Sequence, residues 1–175
     1  MKKGFIHIYF GGGKGKTTAA IGLAIRMAGS GQTAVIMQFL KSSISSERKI
    51  LSQIDNIRLI DIPSSIKFVF DMNDSEKSEA TALYNKKLDE IESIAENNIC
   101  DMIVLDEILD AVDCGIIDEK RVLHLLDICR GNIEVVMTGR NPSEDMLKRA
   151  DYITKTESLC HPFDKGIGAR YGIEY

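Results

Sequence analysis

Phe5-Ile6-His7-Ile8-Tyr9-Phe10 runs directly into Gly11-Gly12-Gly13-Lys14-Gly15-Lys16-Thr17-Thr18, and this junction decides the fold. The first six residues form a short β-prone run. Beyond Thr18 the pattern turns helical: Ala20, Leu23, Ala24 and Met27 recur at i, i+3, i+4 and i+7 and make one apolar face. A glycine-rich turn that leaves a strand and opens a helix is the context of a phosphate loop. Its glycines let the backbone turn sharply and bring N–H groups against phosphate oxygens. The helix start adds unpaired donors and the positive end of a dipole. Lys16 can reach the outer phosphates, and the Thr17 hydroxyl can ligate Mg²⁺. The strict pattern has a glycine five residues before Gly15, where this chain has Phe10, so the loop is a variant with glycines at 11, 12 and 13. A glycine-rich turn with an incidental lysine is the plain alternative, and the strand–loop–helix order argues against it.

Outward from this junction, apolar runs alternate with helical patterns. Gly29 and Gly31 punctuate the first helix, and Ala34–Phe39 reads as a strand apolar on both faces. Residues 41–46 read as a polar loop, and Ile57–Ile62 as a third strand stopped by Pro63. Residues 64–74 have no clear period. Ser75–Asn97 carries the longest helical pattern, with Tyr84, Leu88, Ile91 and Ala95 on one face. Met102–Leu105 reads as a buried strand, and Asp118–Cys129 as a helix with Val122, Leu125, Leu126 and Cys129 inward. Ile133–Thr138 is another strand, and Pro142–Ala150 a short helix. A last run begins at Ile153, before a glycine-rich tail. Alternation of this kind predicts right-handed βαβ units, hence an α/β fold in three layers with a mainly parallel sheet and helices on both faces. The expectation is a single nucleotide-binding domain over residues 1–175.

Composition narrows the function classes. The 175 residues are 44% hydrophobic and 27% charged, with a formal net charge of −4. An acidic balance argues against a nucleic-acid partner, which needs a basic face, but a local anion site needs no positive total. Cys100, Cys114, Cys129 and Cys160 are widely spaced without a C-x-x-C pair, which fits free thiols in a reducing compartment better than zinc or a redox couple. The opening apolar run is too short for a signal peptide, and no window approaches a membrane span. The reading is a cytoplasmic protein.

Two further strand ends carry chemistry. Asp101-Met-Ile-Val-Leu-Asp106-Glu107 is an apolar run closing on two carboxylates. Beside a phosphate loop, an acidic residue so placed holds Mg²⁺ directly or through water. Because successive side chains on a strand point opposite ways, Asp106 and Glu107 both stay candidates; an acidic helix cap is the plainer reading. Thr138-Gly139-Arg140 puts an arginine at the ligand-facing edge of another strand, where it could neutralise phosphate, or be an ordinary surface residue. Asn85-Lys86-Lys87-Leu88 begins like a guanine-reading motif but has Leu88 where aspartate is required, and it lies inside an amphipathic helix. His7, His124 and His161 share no metal spacing, and no motif suggests a protein nucleophile.

The combination GGGKGKTTAA, then Gln38-Phe-Leu-Lys41, DMIVLDE, TGR and the ending HPFDKGIGARYGIEY resembles the phosphate-loop type of ATP:corrinoid adenosyltransferase along nearly the whole chain. The displaced first glycine is normal in that family. The resemblance implies a RecA-like, usually dimeric enzyme that moves the 5′-deoxyadenosyl group of ATP onto Co(I) of a corrinoid and releases triphosphate, with a reductase supplying Co(I). Carried onto this sequence, it implies that Gly11, Gly12, Gly13, Lys14, Gly15, Lys16, Thr17 and Thr18 hold the triphosphate. Thr17 and Glu107, with Asp106 as a further candidate, would hold Mg²⁺. Lys16 and Arg140 would support the chemistry, and Gln38, Lys41 and Glu47 would lie near nucleotide or corrin. The segment that usually offers two large aromatics for displacing the lower corrinoid ligand has Ile66 and Phe68 here, so one aromatic is replaced. Two rival readings differ in class. A small ATP-dependent kinase of the thymidine-kinase-like kind usually carries a cysteine-rich zinc lasso, absent here; a non-catalytic ATP- or corrinoid-binding module would bind ATP with slow or absent turnover.

Overall fold

The computed structural model describes residues 4–42, 45–63, 67 and 69–173. Six strands, β1 (Ile6–Phe10), β2 (Ala34–Gln38), β3 (Ile57–Leu59), β4 (Met102–Asp106), β5 (Glu134–Gly139) and β6 (Tyr152–Lys155), pair in the order β3-β2-β4-β5-β1-β6. Every pairing is parallel, so the sheet is wholly rather than mainly parallel. The helices are α1 (Lys16–Gly29), α2 (Ser46–Leu51), α3 (Asp74–Glu96), α4 (Ile108–Asp113), α5 (Glu119–Cys129) and α6 (Glu144–Arg149).

The strand residues sort by parity into two cores. Val35, Met37, Ile103, Leu105, Val135 and Met137 face Tyr84, Leu88 and Ile91 of α3 and Val122, Leu125 and Leu126 of α5. Ala34, Ile36, Met102, Val104 and Val136 face Ala20, Ile21 and Ala24 of α1 and Leu51 of α2. Because side chains alternate across a strand, burial on both faces demands the unbroken apolar runs seen in β2 and β4. This is the three-layer α/β fold of phosphate-loop NTPases. The four apolar residues expected on α3, and the four on α5, are all buried.

Parallel strands all end on one edge of the sheet, so β1, β2, β4 and β5 deliver their C-termini to a common crevice. One strand, β5, separates the strand feeding the phosphate loop from the strand ending in Asp106. Among the described residues, no helix is long and apolar enough to cross a membrane.

Candidate active site

The loop after β1 is fixed from both sides. Gly11 donates its amide to the Gly139 carbonyl, and Gly13 donates to the Thr156 carbonyl just beyond β6, each at 3.1 Å. A Cβ on Gly11 would come within 2.3 Å of the Thr156 carbonyl oxygen, and φ there is +110°, so this position needs glycine. Gly15, in a left-handed conformation at φ 102°, caps α1. Lys16 folds back so that its ammonium donates to the Gly13 carbonyl at 2.8 Å. Burial lowers its pKa, against the pull of the Asp110 carboxylate. Gly12 and Lys14 in the loop and Thr18 in the first turn of α1 are exposed. The Lys14 ammonium reaches the carbonyl of Ile173 at 3.1 Å, which brings the C-terminal tail over the loop.

Asp106 is the hub. Its carboxylate is fully buried and accepts four hydrogen bonds. Oδ1 takes one from the Thr17 hydroxyl at 2.8 Å and one from the Thr138 hydroxyl at 2.7 Å. Oδ2 takes one from the Lys41 ammonium at 2.8 Å and one from the Gln38 amide at 3.3 Å. Gln38 also donates to Glu47 at 3.0 Å and accepts from buried Arg48 at 3.1 Å. Burial opposes the Lys41 charge, but Asp106 and Glu107 outweigh it and hold the ammonium above its ordinary pKa.

Strand alternation left the choice between Asp106 and Glu107 open, and the backbone removes the conflict. β4 ends at Asp106, and Glu107 turns into the left-handed region at φ 62°, capping α4. Its amide is satisfied by the Thr138 hydroxyl at 2.8 Å. Both carboxylates therefore turn toward the same place: the Lys41 ammonium lies 2.8 Å from Asp106 and 3.6 Å from Glu107. Burial pushes the Glu107 pKa up to about 7, against the pull of Lys41. Thr17, Asp106 and Glu107 thus gather hard oxygen donors around a site that already holds one positive charge, a donor set suited to Mg²⁺. Among the described residues no three His, Cys, Asp or Glu side chains form a metal cage. Mg²⁺ seldom uses one, taking one or two carboxylates and completing its shell with phosphate and water.

The model of the family described as ATP:corrinoid adenosyltransferase BtuR/CobO/CobP matches residues 2–175. The chain belongs to this family. It is 29% identical to a corrinoid adenosyltransferase of Sinorhizobium sp. over 99% of this chain and 81% of that protein. It is 27% identical to corrinoid adenosyltransferase CobA of Salmonella typhimurium, covering 99% and 87%. The corrinoid adenosyltransferase of Escherichia coli K12 is 28% identical with the same coverage.

Of the residues that the corrinoid adenosyltransferase resemblance singled out, Thr17, Gln38, Lys41, Glu47, Asp106 and Glu107 form one connected cluster. Arg140 stands exposed at the edge of the crevice. Its charge and that of Lys16 both bear on Asp110. Ile66 and Phe68 lie outside the described residues. Sequence reasoning passed over Asp110, Thr138 and Tyr84. Asp110 follows Glu107 by three residues on α4, so the i, i+3 spacing of two acids was the available signal. Thr138 was quoted only for its neighbour Arg140. Tyr84 was read as core, which it is, but its phenol also accepts the Leu40 amide at 3.0 Å.

Proposed function

We propose that this chain transfers the 5′-deoxyadenosyl group of ATP to Co(I) of a corrinoid, with release of triphosphate, in adenosylcobalamin biosynthesis or salvage. One observation carries the reading: the phosphate loop is joined through Thr17 to the Asp106–Glu107 strand end, in a chain that its family model matches over residues 2–175. The doubly occupied cobalt orbital of the corrinoid substrate attacks C5′, the C5′–O bond breaks, and the bonding pair leaves with triphosphate. No protein nucleophile is required. The protein's work is positioning, stabilising the charge that develops on the leaving group, and excluding water.

The loop amides and Lys16 hold the triphosphate, with Lys16 leaving the Gly13 carbonyl for a phosphate oxygen. Arg140 faces the same charge from the end of β5. Thr17 and Glu107 hold Mg²⁺, with Asp106 orienting Thr17 from behind. When bound, Mg²⁺ supplies divalent charge that offsets the leaving triphosphate. Gln38, Lys41 and Glu47 line the nucleotide or corrin side. We further propose one domain acting as a homodimer in the cytoplasm, served by a reductase that supplies Co(I).

The test is anaerobic incubation with chemically reduced cob(I)alamin and Mg²⁺-ATP, following the absorbance change and triphosphate. Stoichiometric adenosylcobalamin and triphosphate are the expected products. ATP binding without a cobalt–carbon bond would instead identify a binding module.

A further inference from the structure

Lys41 sits beside the phosphate loop among the oxygens of Thr17, Asp106, Glu107 and Glu47. Its ammonium donates to the Thr17 hydroxyl at 3.2 Å and to Asp106 at 2.8 Å, with Glu107 at 3.6 Å and Glu47 at 4.0 Å. These are the oxygens assigned above to the metal and its immediate support. The placement is built rather than incidental. Leu40, the preceding residue, is held in the left-handed region at φ 55°. A leucine does not adopt that conformation without support. The support is the phenol of Tyr84, fully buried on α3, which takes the Leu40 amide. The Lys41 side chain is itself mostly buried, at 22% exposure, so the ammonium is committed to this cluster.

Two cations cannot share that volume. Mg²⁺ binds oxygen at about 2.0–2.1 Å and demands near-octahedral geometry, while the ammonium already lies within hydrogen-bond distance of Thr17 and Asp106. We propose that Lys41 is a tethered counter-cation: it fills the metal position while nucleotide is absent and withdraws when Mg²⁺ arrives with its polyphosphate. Without it, buried Asp106 and half-buried Glu107 would stand side by side with Lys16 as the remaining positive charge bearing on both, a costly arrangement. With it, part of that negative charge is offset before loading, and free Mg²⁺ finds oxygens of its site already bonded to the ammonium. Only a metal that brings the triphosphate's negative charge offers the ammonium another partner. Metal therefore enters with nucleotide and not ahead of it. The inference rests on the metal placement proposed above, at Thr17 and Glu107.

Mn²⁺ serves as the probe, because loss of the free-ion electron paramagnetic resonance signal, read against protein-free samples that correct for Mn²⁺ held by ATP itself, counts protein-bound metal without any turnover. The wild-type chain should take up Mn²⁺ weakly alone and at least tenfold more tightly with ATP. Lys41→Met should bind Mn²⁺ without ATP at least tenfold more tightly than wild type does. Circular dichroism checks that the variant folds, and Lys41→Gln takes its place if the methionine form does not. Equal nucleotide-free Mn²⁺ affinity in wild type and variant would overturn the inference while leaving the proposed function standing. So would tight, micromolar Mn²⁺ binding by the nucleotide-free wild type, which needs no variant. Failure of the wild type to bind Mn²⁺ even with ATP would overturn the metal placement itself, and this inference with it.

Discussion

Gly13 and Thr156 are bonded reciprocally: the Gly13 amide donates to the Thr156 carbonyl at 3.1 Å, and the Thr156 hydroxyl donates to the Gly13 carbonyl at 3.2 Å. The phosphate loop is thereby sewn to the chain just past β6, an edge strand whose four residues are all exposed. A Cβ on Gly13 would meet the backbone of residues 156–157 at 2.7–2.9 Å, and backbone cannot step aside as a flexible side chain can. Gly13→Ala should cost about 1–3 kcal/mol of stability. Gly12→Ala, with nothing within 4 Å, should stay within about 0.5 kcal/mol of wild type. Urea unfolding of the pair measures the difference, and equal midpoints would contradict this packing.

Lys16→Ala should separate activity from fold. Among the described residues its ammonium is hydrogen-bonded only to a loop carbonyl, so thermal unfolding should move by no more than a few degrees. Adenosylation should fall by about 10²–10³-fold or more, the scale for removing a donor aimed at developing charge. The cob(I)alamin assay decides it; full activity in this variant would remove the phosphate loop from the mechanism.

Asp106→Asn should be among the most destabilising single changes at the site. The carboxylate is buried, accepts from four side chains and neutralises Lys41. Breaking a buried ion pair from one side costs about 3–5 kcal/mol, because the other charge is left uncompensated. Adding Lys41→Met to Asp106→Asn should recover part of that loss. A double-mutant cycle by chemical denaturation gives the sign, and strict additivity would mean that the two residues are not energetically coupled.

The four cysteines should report burial through their chemistry. Burial pushes the Cys129 thiol up to about 12, so it supplies almost no thiolate at pH 8, and Cys100 is buried beside it. Cys160 is exposed and should react first with a disulfide reagent, Cys114 more slowly. Cys100 and Cys129 should react only on unfolding. Peptide mapping after timed labelling checks the order.

The parts legible in the sequence were those where burial dictates composition. β2 and β4 are covered on both faces, and their unbroken apolar runs announce it. α3 buries Tyr84, Leu88 and Ile91 at helical spacing, and its expected ends lie within one residue of those observed. α2 falls partly in the segment read as a loop, and its described buried residues are Arg48 and Leu51, so it has no apolar stripe to read. α4 was missed because six residues are too few for a period to stand out, and it starts from the left-handed turn at Glu107. β6 begins one residue before the run read there, and it is ordered by pairing with β1 rather than by burial. The third strand was read too long: pairing ends at Leu59, although the Ile60 amide still reaches the Ile36 carbonyl. At the site, residue types and strand ends were readable. The insertion of Lys41 between Thr17 and Asp106 was not, because it joins positions 24 and 65 residues away through tertiary packing alone.

Glu107 sets stability against function at a single position. Its left-handed backbone at φ 62° suits glycine or asparagine and costs a glutamate about 1–3 kcal/mol. Burial adds a second charge-related cost by raising its pKa to about 7. Variants chosen only for surviving heat should therefore drift toward glycine or asparagine at 107, and each step should forfeit the carboxylate that faces Lys41 and the proposed metal position. A heat-selected library that kept glutamate there would show that the backbone at 107 is not strained. Loss of glutamate together with loss of adenosylation would show that the enzyme maintains its reactive centre by forgoing stability it could otherwise have.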